Sequence, residues 1–343
     1  MNNYPTPPNR FHAPPPQGGY WHLPPEPQNA LTKKALTQPL RRLSMTAGFC
    51  VLGFIGLQFV LGLLLSIFGL WDIYENDPLF QSAFGGIYAI VCVFLPFFAV
   101  SILMDPPRRR ETLAFGRPYS VSLMLLAVPA GFMFCMAGNF ATSALVTLMD
   151  SFGVRLTAPE SAVPSTPLGM VMFALQIAFI PALIEEYALR GVVMQPLRRY
   201  GDGFAIVMSA LVFGLMHSNM IQAPFAFIAG IAIGYFVIAT GTIWTGVLIH
   251  FANNMFSVVL NLVSSNTTVD ITQPYAAFMA FSFVVGLACC VAFAFARGRQ
   301  KLRKPREPLG LGTRTAAYLV TIPMLLALAA ILWITKDYIE FGG

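Results

Sequence analysis

Apolar residues in this chain come in long unbroken runs separated by short polar stretches. Nine runs stand out, at about 45–70, 83–104, 120–149, 168–189, 204–219, 223–240, 243–262, 276–296 and 315–335. About 20 apolar residues make a helix long enough to cross the hydrocarbon core of a bilayer. None of the runs alternates apolar with polar positions, and in lipid only helices or closed barrels satisfy the backbone. The pattern therefore predicts an all-α polytopic membrane helix bundle with about nine transmembrane helices, the boundaries being tightest between 204 and 262. Residues 1–30 are different: they are rich in proline and have no apolar period. They predict a polyproline-like, disordered arm. A signal peptide is not expected, because a charged start followed by an apolar stretch is missing.

Composition supports the same class. Of 343 residues, 56% are apolar and 10% charged, against about 25% charged in soluble domains. Mean hydropathy is +0.67. An ordinary cytosolic globule and a disordered chain are both excluded. The net charge of +6 has no nucleic-acid-binding motif beside it, so it reads as basic loops against anionic lipid. Lys and Arg also set an orientation. With the N-terminus in the cytoplasm, 18 of the 21 basic residues fall in the tail or in loops near 108–117, 198–199 and 297–314. The opposite loops, WDIYENDP, DSFGVRLTAPE and SSNTTVD, are acidic or neutral. An odd number of spans satisfies this bias throughout. Asn266-Thr267-Thr268 is a glycosylation sequon on the outer side, and in a bacterial cell it would carry no meaning. Cys50, Cys92, Cys135, Cys289 and Cys290 lie inside apolar stretches without CxxC spacing and read as small core residues. His12 and His22 read as solvated residues of the arm.

The chemistry is expected where ionisable residues sit inside spans. Glu185, Glu186 and Arg190 lie late in the fourth run, His217 in the fifth and His250 in the seventh. A charge at mid-bilayer costs at least about 2.5 kcal/mol, so such residues face the bundle interior and mark function. Glu186 and Arg190 are four apart and share a helix face, a geometry that pairs their charges. Glu185 points about 100° away and has no partner on its own helix, the situation of a general base. Pro181 cannot donate to the carbonyl of Ile177, and a kink there would admit water. Phe213 shares a face with His217. His250, Asn254, Ser257 and Asn261 form a polar stripe, from which His250 and Asn254 could donate to an oxyanion. Each feature alone also suits structural packing between membrane helices; their co-occurrence within 185–254 is what points to a site. HExxH, a GxSG serine and a Walker A loop are all missing from the sequence.

Glu185-Glu186-Tyr187-Ala188-Leu189-Arg190, then Phe213 to His217, then His250 to Asn254 together resemble the EExxxR, FxxxH and HxxxN motifs of the CPBP family of intramembrane proteases. That family is also called the CAAX protease and bacteriocin-processing or Abi family, and includes the type II CAAX prenyl endopeptidase. The resemblance covers about residues 168–262, and divides the chain into a cytoplasmic arm (1–44), N-terminal transmembrane helices (45–167), a catalytic core (168–262) and C-terminal transmembrane helices (263–343). It implies an intramembrane endopeptidase whose site opens toward the cytoplasm. Glu185 would activate water with His217 assisting, His250 and Asn254 would form the oxyanion site, and Glu186 and Arg190 would support them. No cofactor is certain. Members have been called metalloproteases, so zinc is a conditional expectation, with Glu185, His217 and His250 as its ligands.

The implied partners are a membrane-associated peptide or protein substrate and the lipid bilayer, with no nucleic acid; the proline-rich arm could recruit a further protein partner. CAAX-type processing, bacteriocin maturation and self-immunity are the roles this family suggests, in an integral, multi-pass protein of a bacterial cell membrane. Two other classes fit part of the pattern. A proton-coupled membrane transporter would use the Glu/His cluster as a relay, but matching interrupted halves are not visible. A catalytically idle scaffold would use the arm and leave the clustered charges unexplained.

Overall fold

The computed structural model describes residues 25–104, 114–298 and 301–342. Residues 1–24, with most of the expected arm, lie outside them, as do Arg108, Arg109, Arg110 and Arg299. In chain order the helices are α1 (Pro25–Ile67), α2 (Trp71–Asn76), α3 (Pro78–Ile102), α4 (Val121–Ser151), α5 (Pro167–Tyr200), α6 (Asp202–Met216), α7 (Gln222–Thr240), α8 (Ile243–Asn266), α9 (Thr272–Arg297), α10 (Leu311–Leu319) and α11 (Ile322–Thr335). Two three-residue strands, β1 (Val154–Leu156) and β2 (Ile339–Phe341), pair antiparallel with Arg155 opposite Glu340. The protein is an all-α, integral, multi-pass membrane bundle.

Among the described residues, seven helices are long and apolar enough to span a bilayer: α1 from Lys33, α3, α4, α5, α7, α8 and α9. An eighth span forms if α10 and α11 count as one, bent by 73° at their junction. The expected count of nine is not confirmed, for a physical reason. The run at 204–219 becomes α6, only 15 residues long, and a 15-residue helix rises about 22 Å, short of the ~30 Å hydrocarbon core. α1 also differs from expectation: it begins at Pro25, so residues 25–44, expected in the arm, are helical.

Local sequence explains the helix ends. Asp77, Ser120, Thr166 and Thr242 cap α3, α4, α5 and α8 by accepting backbone N–H bonds. Gly241, at φ +78°, ends α7 in the left-handed conformation. Three π-helical stretches, Ala89–Phe94, Leu175–Phe179 and Tyr187–Val193, each lie just before a proline, at Pro96, Pro181 and Pro196. Proline lacks the N–H and crowds the carbonyl four residues back, and a widened turn relieves that conflict. The bend between α10 and α11 is held from α1, where Ser44 Oγ hydrogen-bonds Tyr318 O and lies 2.7 Å from Thr321 Oγ1.

The interior belongs to α4 through α8. α6 packs along α7, and α4 along both α7 and α9. Glu186 and Arg190 are fully buried there, while large apolar side chains on α1, α3, α9 and α11 point outward as a lipid-facing rim. The two ends of the bundle differ in charge. At one end the basic segments are tied together: Asp202 accepts from Arg198 Nε and from the backbone N–H of Arg303, both at 2.8 Å. Arg199 pairs with Glu307 at 2.6 Å, and Arg314 donates to Tyr200 O. At the other end Ala162 N donates to Gln81 Oε1, Asn266 Nδ2 to Pro164 O and Thr157 N to Tyr338 O.

Candidate active site

α5 carries two carboxylates in adjacent positions, and the fold gives them different surroundings. Glu186 Oε1 lies 2.9 Å from Arg190 Nη1, with both side chains fully buried. Arg190 also donates from Nη2 to Gly230 O at 3.3 Å, and its guanidinium sits 4.7 Å from the centroid of the Phe213 ring. The pair is thus neutralised in place, as an uncompensated buried charge would not be tolerated. α8 approaches closely because residue 246 is glycine: a Cβ there would lie 2.5 Å from Glu186 Oε2. Glu185 faces the other way and is about one-fifth exposed.

His250, one turn beyond Gly246, reaches both carboxylates. Its Nδ1 is 3.1 Å from Glu186 Oε1 and its Nε2 is 3.7 Å from Glu185 Oε2. Glu186 is the ionised partner of Arg190, so the tautomer that satisfies this network has Nδ1–H donating to Glu186. Nε2 is then left facing Glu185. The sequence-based expectation put His217 beside Glu185 and gave His250 to the oxyanion; the structure brings His250 to within 4 Å of Glu185. His217 follows α6 directly. Its Nδ1 donates to Phe213 O at 2.9 Å, which leaves Nε2 for the cavity. Phe213 touches all three cationic or ring groups, with centroids 5.1 Å from His217 and 5.7 Å from His250.

Asn254 occupies a position the sequence did not anticipate. Its Nδ2 donates to Ile177 O at 3.0 Å. Ile177 is the residue whose carbonyl Pro181 cannot serve, so the amide satisfies the acceptor that proline leaves. Its Oδ1 accepts from Asn253 Nδ2 at 3.1 Å. One of the two Asn254 amide hydrogens is thereby committed, and one remains for a ligand.

Three residues missed by the sequence reading also shape the site. Gly246 makes room for Glu186, and Gly230 receives Arg190. Asn219, fully buried, builds the turn after His217: it accepts from Ile221 N and Gln222 N and donates to His217 O at 2.8 Å. The signal for Asn219 was present as Asn-x-x-Gln ahead of an apolar run, a helix-start pattern. Ser218 within this turn has φ +53°, an uncommon conformation for a residue with a side chain.

These groups surround one cavity of about 620 Å³. Glu185, His217, His250 and Asn254 line it, with Asn253, Ser257 and Asn261 continuing its wall. Glu186 and Arg190 lie behind the wall and touch it only through His250 and Phe213. The cavity extends to Pro159, Glu160 and Ser161, on the loop before α5. That is the end of the bundle away from Arg198 and Arg303. A cytoplasmic opening and basic loops in the cytoplasm therefore cannot both hold. Each expectation was reasonable alone, but the first came from resemblance and the second from charge.

The conditional zinc set does not fit. Among the described residues no group of three or more His, Cys, Asp or Glu is arranged to hold a metal ion. Glu185 Oε2 and His250 Nε2 face one gap of 3.7 Å, two donors where a catalytic zinc takes three protein ligands.

Residues 167–256 match the family model described as type II CAAX prenyl endopeptidase Rce1-like. The chain is also 20% identical over 178 residues, 52% of its own length and 72% of the relative's, to the Bacillus subtilis (strain 168) protein named "Putative membrane peptidase YdiL". No solved structure matches. The matched segment runs from the start of α5 into α8 and so contains every site residue above. These similarities support a membrane-embedded protease in general and do not favour the transporter reading.

Proposed function

We propose that the protein is an intramembrane endopeptidase in which Glu185 is the general base. The observation that carries this reading is the placement of Glu185 Oε2 3.7 Å from His250 Nε2 on the wall of a cavity within the bundle. A water at about 2.8 Å from each atom bridges such a gap. Glu185 takes a proton from this water, and the hydroxide attacks the peptide carbonyl carbon. The resulting oxyanion is received by the remaining N–H of Asn254. The departing amine takes that proton back from Glu185, so that the C–N bond breaks and a carboxylic acid and an amine form; the acid then passes its proton to the amine, and carboxylate and ammonium leave. Glu186 and Arg190 are positioning residues: they hold the Nδ1–H side of His250 and so fix its ring. Reaction in a site screened from bulk water strengthens each of these interactions.

The substrate is a membrane-associated peptide or protein in a bacterial cell membrane. CAAX-type processing, bacteriocin maturation and self-immunity are the roles to be sorted by finding it. Quantitative peptidomics of membranes from cells producing the wild type or Glu185→Gln tests the proposal. Peptides ending at a common cleavage site are expected only with the wild type. Identical peptide sets, with both proteins present in the membrane at equal amounts, would refute Glu185 as the general base of an endopeptidase.

A further inference from the structure

The charge distribution along the chain and the direction of the cavity come from independent observations, and together they assign the site to one side of the membrane. Among the described residues, every Lys and Arg other than Arg155, Arg190 and Lys336 belongs to one end of the bundle. Arg198, Arg199, Arg303 and Arg314 are joined there through Asp202, Glu307 and the Tyr200 carbonyl. At the opposite end, segments 69–78, 150–160, 267–271 and 336–341 hold eight carboxylates, and only Arg155 and Lys336 are basic. Short loops rich in Lys and Arg stay in the cytoplasm, the strongest known determinant of topology for loops of this length.

The cavity opens at the acidic end. Its mouth is formed by the loop at 159–163, by Gln222 at the start of α7 and by Asn261 near the end of α8. Its floor, at Cys135 and Ile233, lies toward the basic end. Among the described residues no Lys or Arg lines it; amides and hydroxyls do, with Glu185, His217 and His250 deeper in and Glu160 at the mouth. An extended peptide in a membrane must find partners for each backbone N–H and C=O. Side-chain amides provide both donor and acceptor for that purpose.

We propose that the cavity opens on the non-cytoplasmic face, and that its substrate is an extended peptide segment presented from that face, neutral or basic where it passes Glu160. This rests on the peptidase reading for the word substrate, but the sidedness does not.

Labelling with a membrane-impermeant maleimide in intact, outer-membrane-permeabilised Escherichia coli tests it without any assay of activity. Ser161→Cys at the mouth and Glu340→Cys on β2 are both exposed, as is Lys301→Cys at the basic end. The wild type, whose five cysteines lie in spanning helices, sets the background. Labelling of Ser161→Cys and Glu340→Cys before lysis, with Lys301→Cys labelled only after lysis, is the expected result. Labelling of Lys301→Cys alone in intact cells would overturn the proposal. Glu340→Cys keeps the test decisive if Ser161→Cys fails to insert. Loss of the Glu185→Gln effect would instead remove the peptidase reading and leave the labelling pattern unchanged.

Discussion

At the scale of single residues, neighbouring carboxylates divide structural and chemical work. Glu186 and Arg190 are fully buried and close to contact at 2.9 Å, so removing one partner strands the other. Arg190→Met should cost about 3–5 kcal/mol, the range for a broken buried pair. Glu186→Gln combined with Arg190→Met should recover most of that loss, since no charge is then left unpaired. Thermal unfolding in detergent measures both. A double variant as unstable as Arg190→Met would mean that the pair itself, rather than the stranded charge, is what matters. The pairing of these two residues was readable from their spacing. The reach of His250 to both glutamates was not, because it depends on how closely α8 approaches α5, and Gly246 sets that distance.

Among elements, the informative contact is between α8 and the proline break in α5. Asn254→Ala removes the donor to Ile177 O and should destabilise the protein by about 1 kcal/mol, the net contribution of one hydrogen bond to a half-buried carbonyl. Pro181→Ala in the same chain restores a backbone N–H, so the double variant should be more stable than Asn254→Ala alone. Unfolding midpoints for the four proteins of this cycle measure the coupling, and strict additivity would show that the two residues act separately. Gly246→Ala should disturb α8 packing against Glu186, where its Cβ would meet Oε2 at 2.5 Å, whereas Gly203→Ala, with nothing within 4 Å, should be tolerated. The prolines, the polar stripe and the apolar runs were all visible in the sequence. Which carbonyl each polar side chain serves depends on the pitch of the π-helical turns, and periodicity alone does not fix that.

For the whole molecule, hydropathy defined the class of fold but did not fix the number of spans, because an apolar run records composition and not depth. Beyond Asp202, α6 is largely apolar yet stops before His217, where the chain turns at the cavity. The basic end is clamped by Asp202, which accepts from Arg198 and Arg303 at once. Asp202→Asn loses one acceptor oxygen, and the backbone of 301–310 should exchange hydrogen at least several-fold faster; unchanged exchange would place the clamp elsewhere. The direction in which the cavity opens was hidden from the sequence, since it emerges only when loops distant in the chain share one end. The most direct test of the whole scheme is the cleavage rate of a substrate found by peptidomics, with purified protein in liposomes. Glu185→Gln, folded and as thermally stable as the wild type, should lose at least about 100-fold, the lower bound for removing a general base. A Gln variant that cleaves at the wild-type rate would contradict a water-activating role for Glu185.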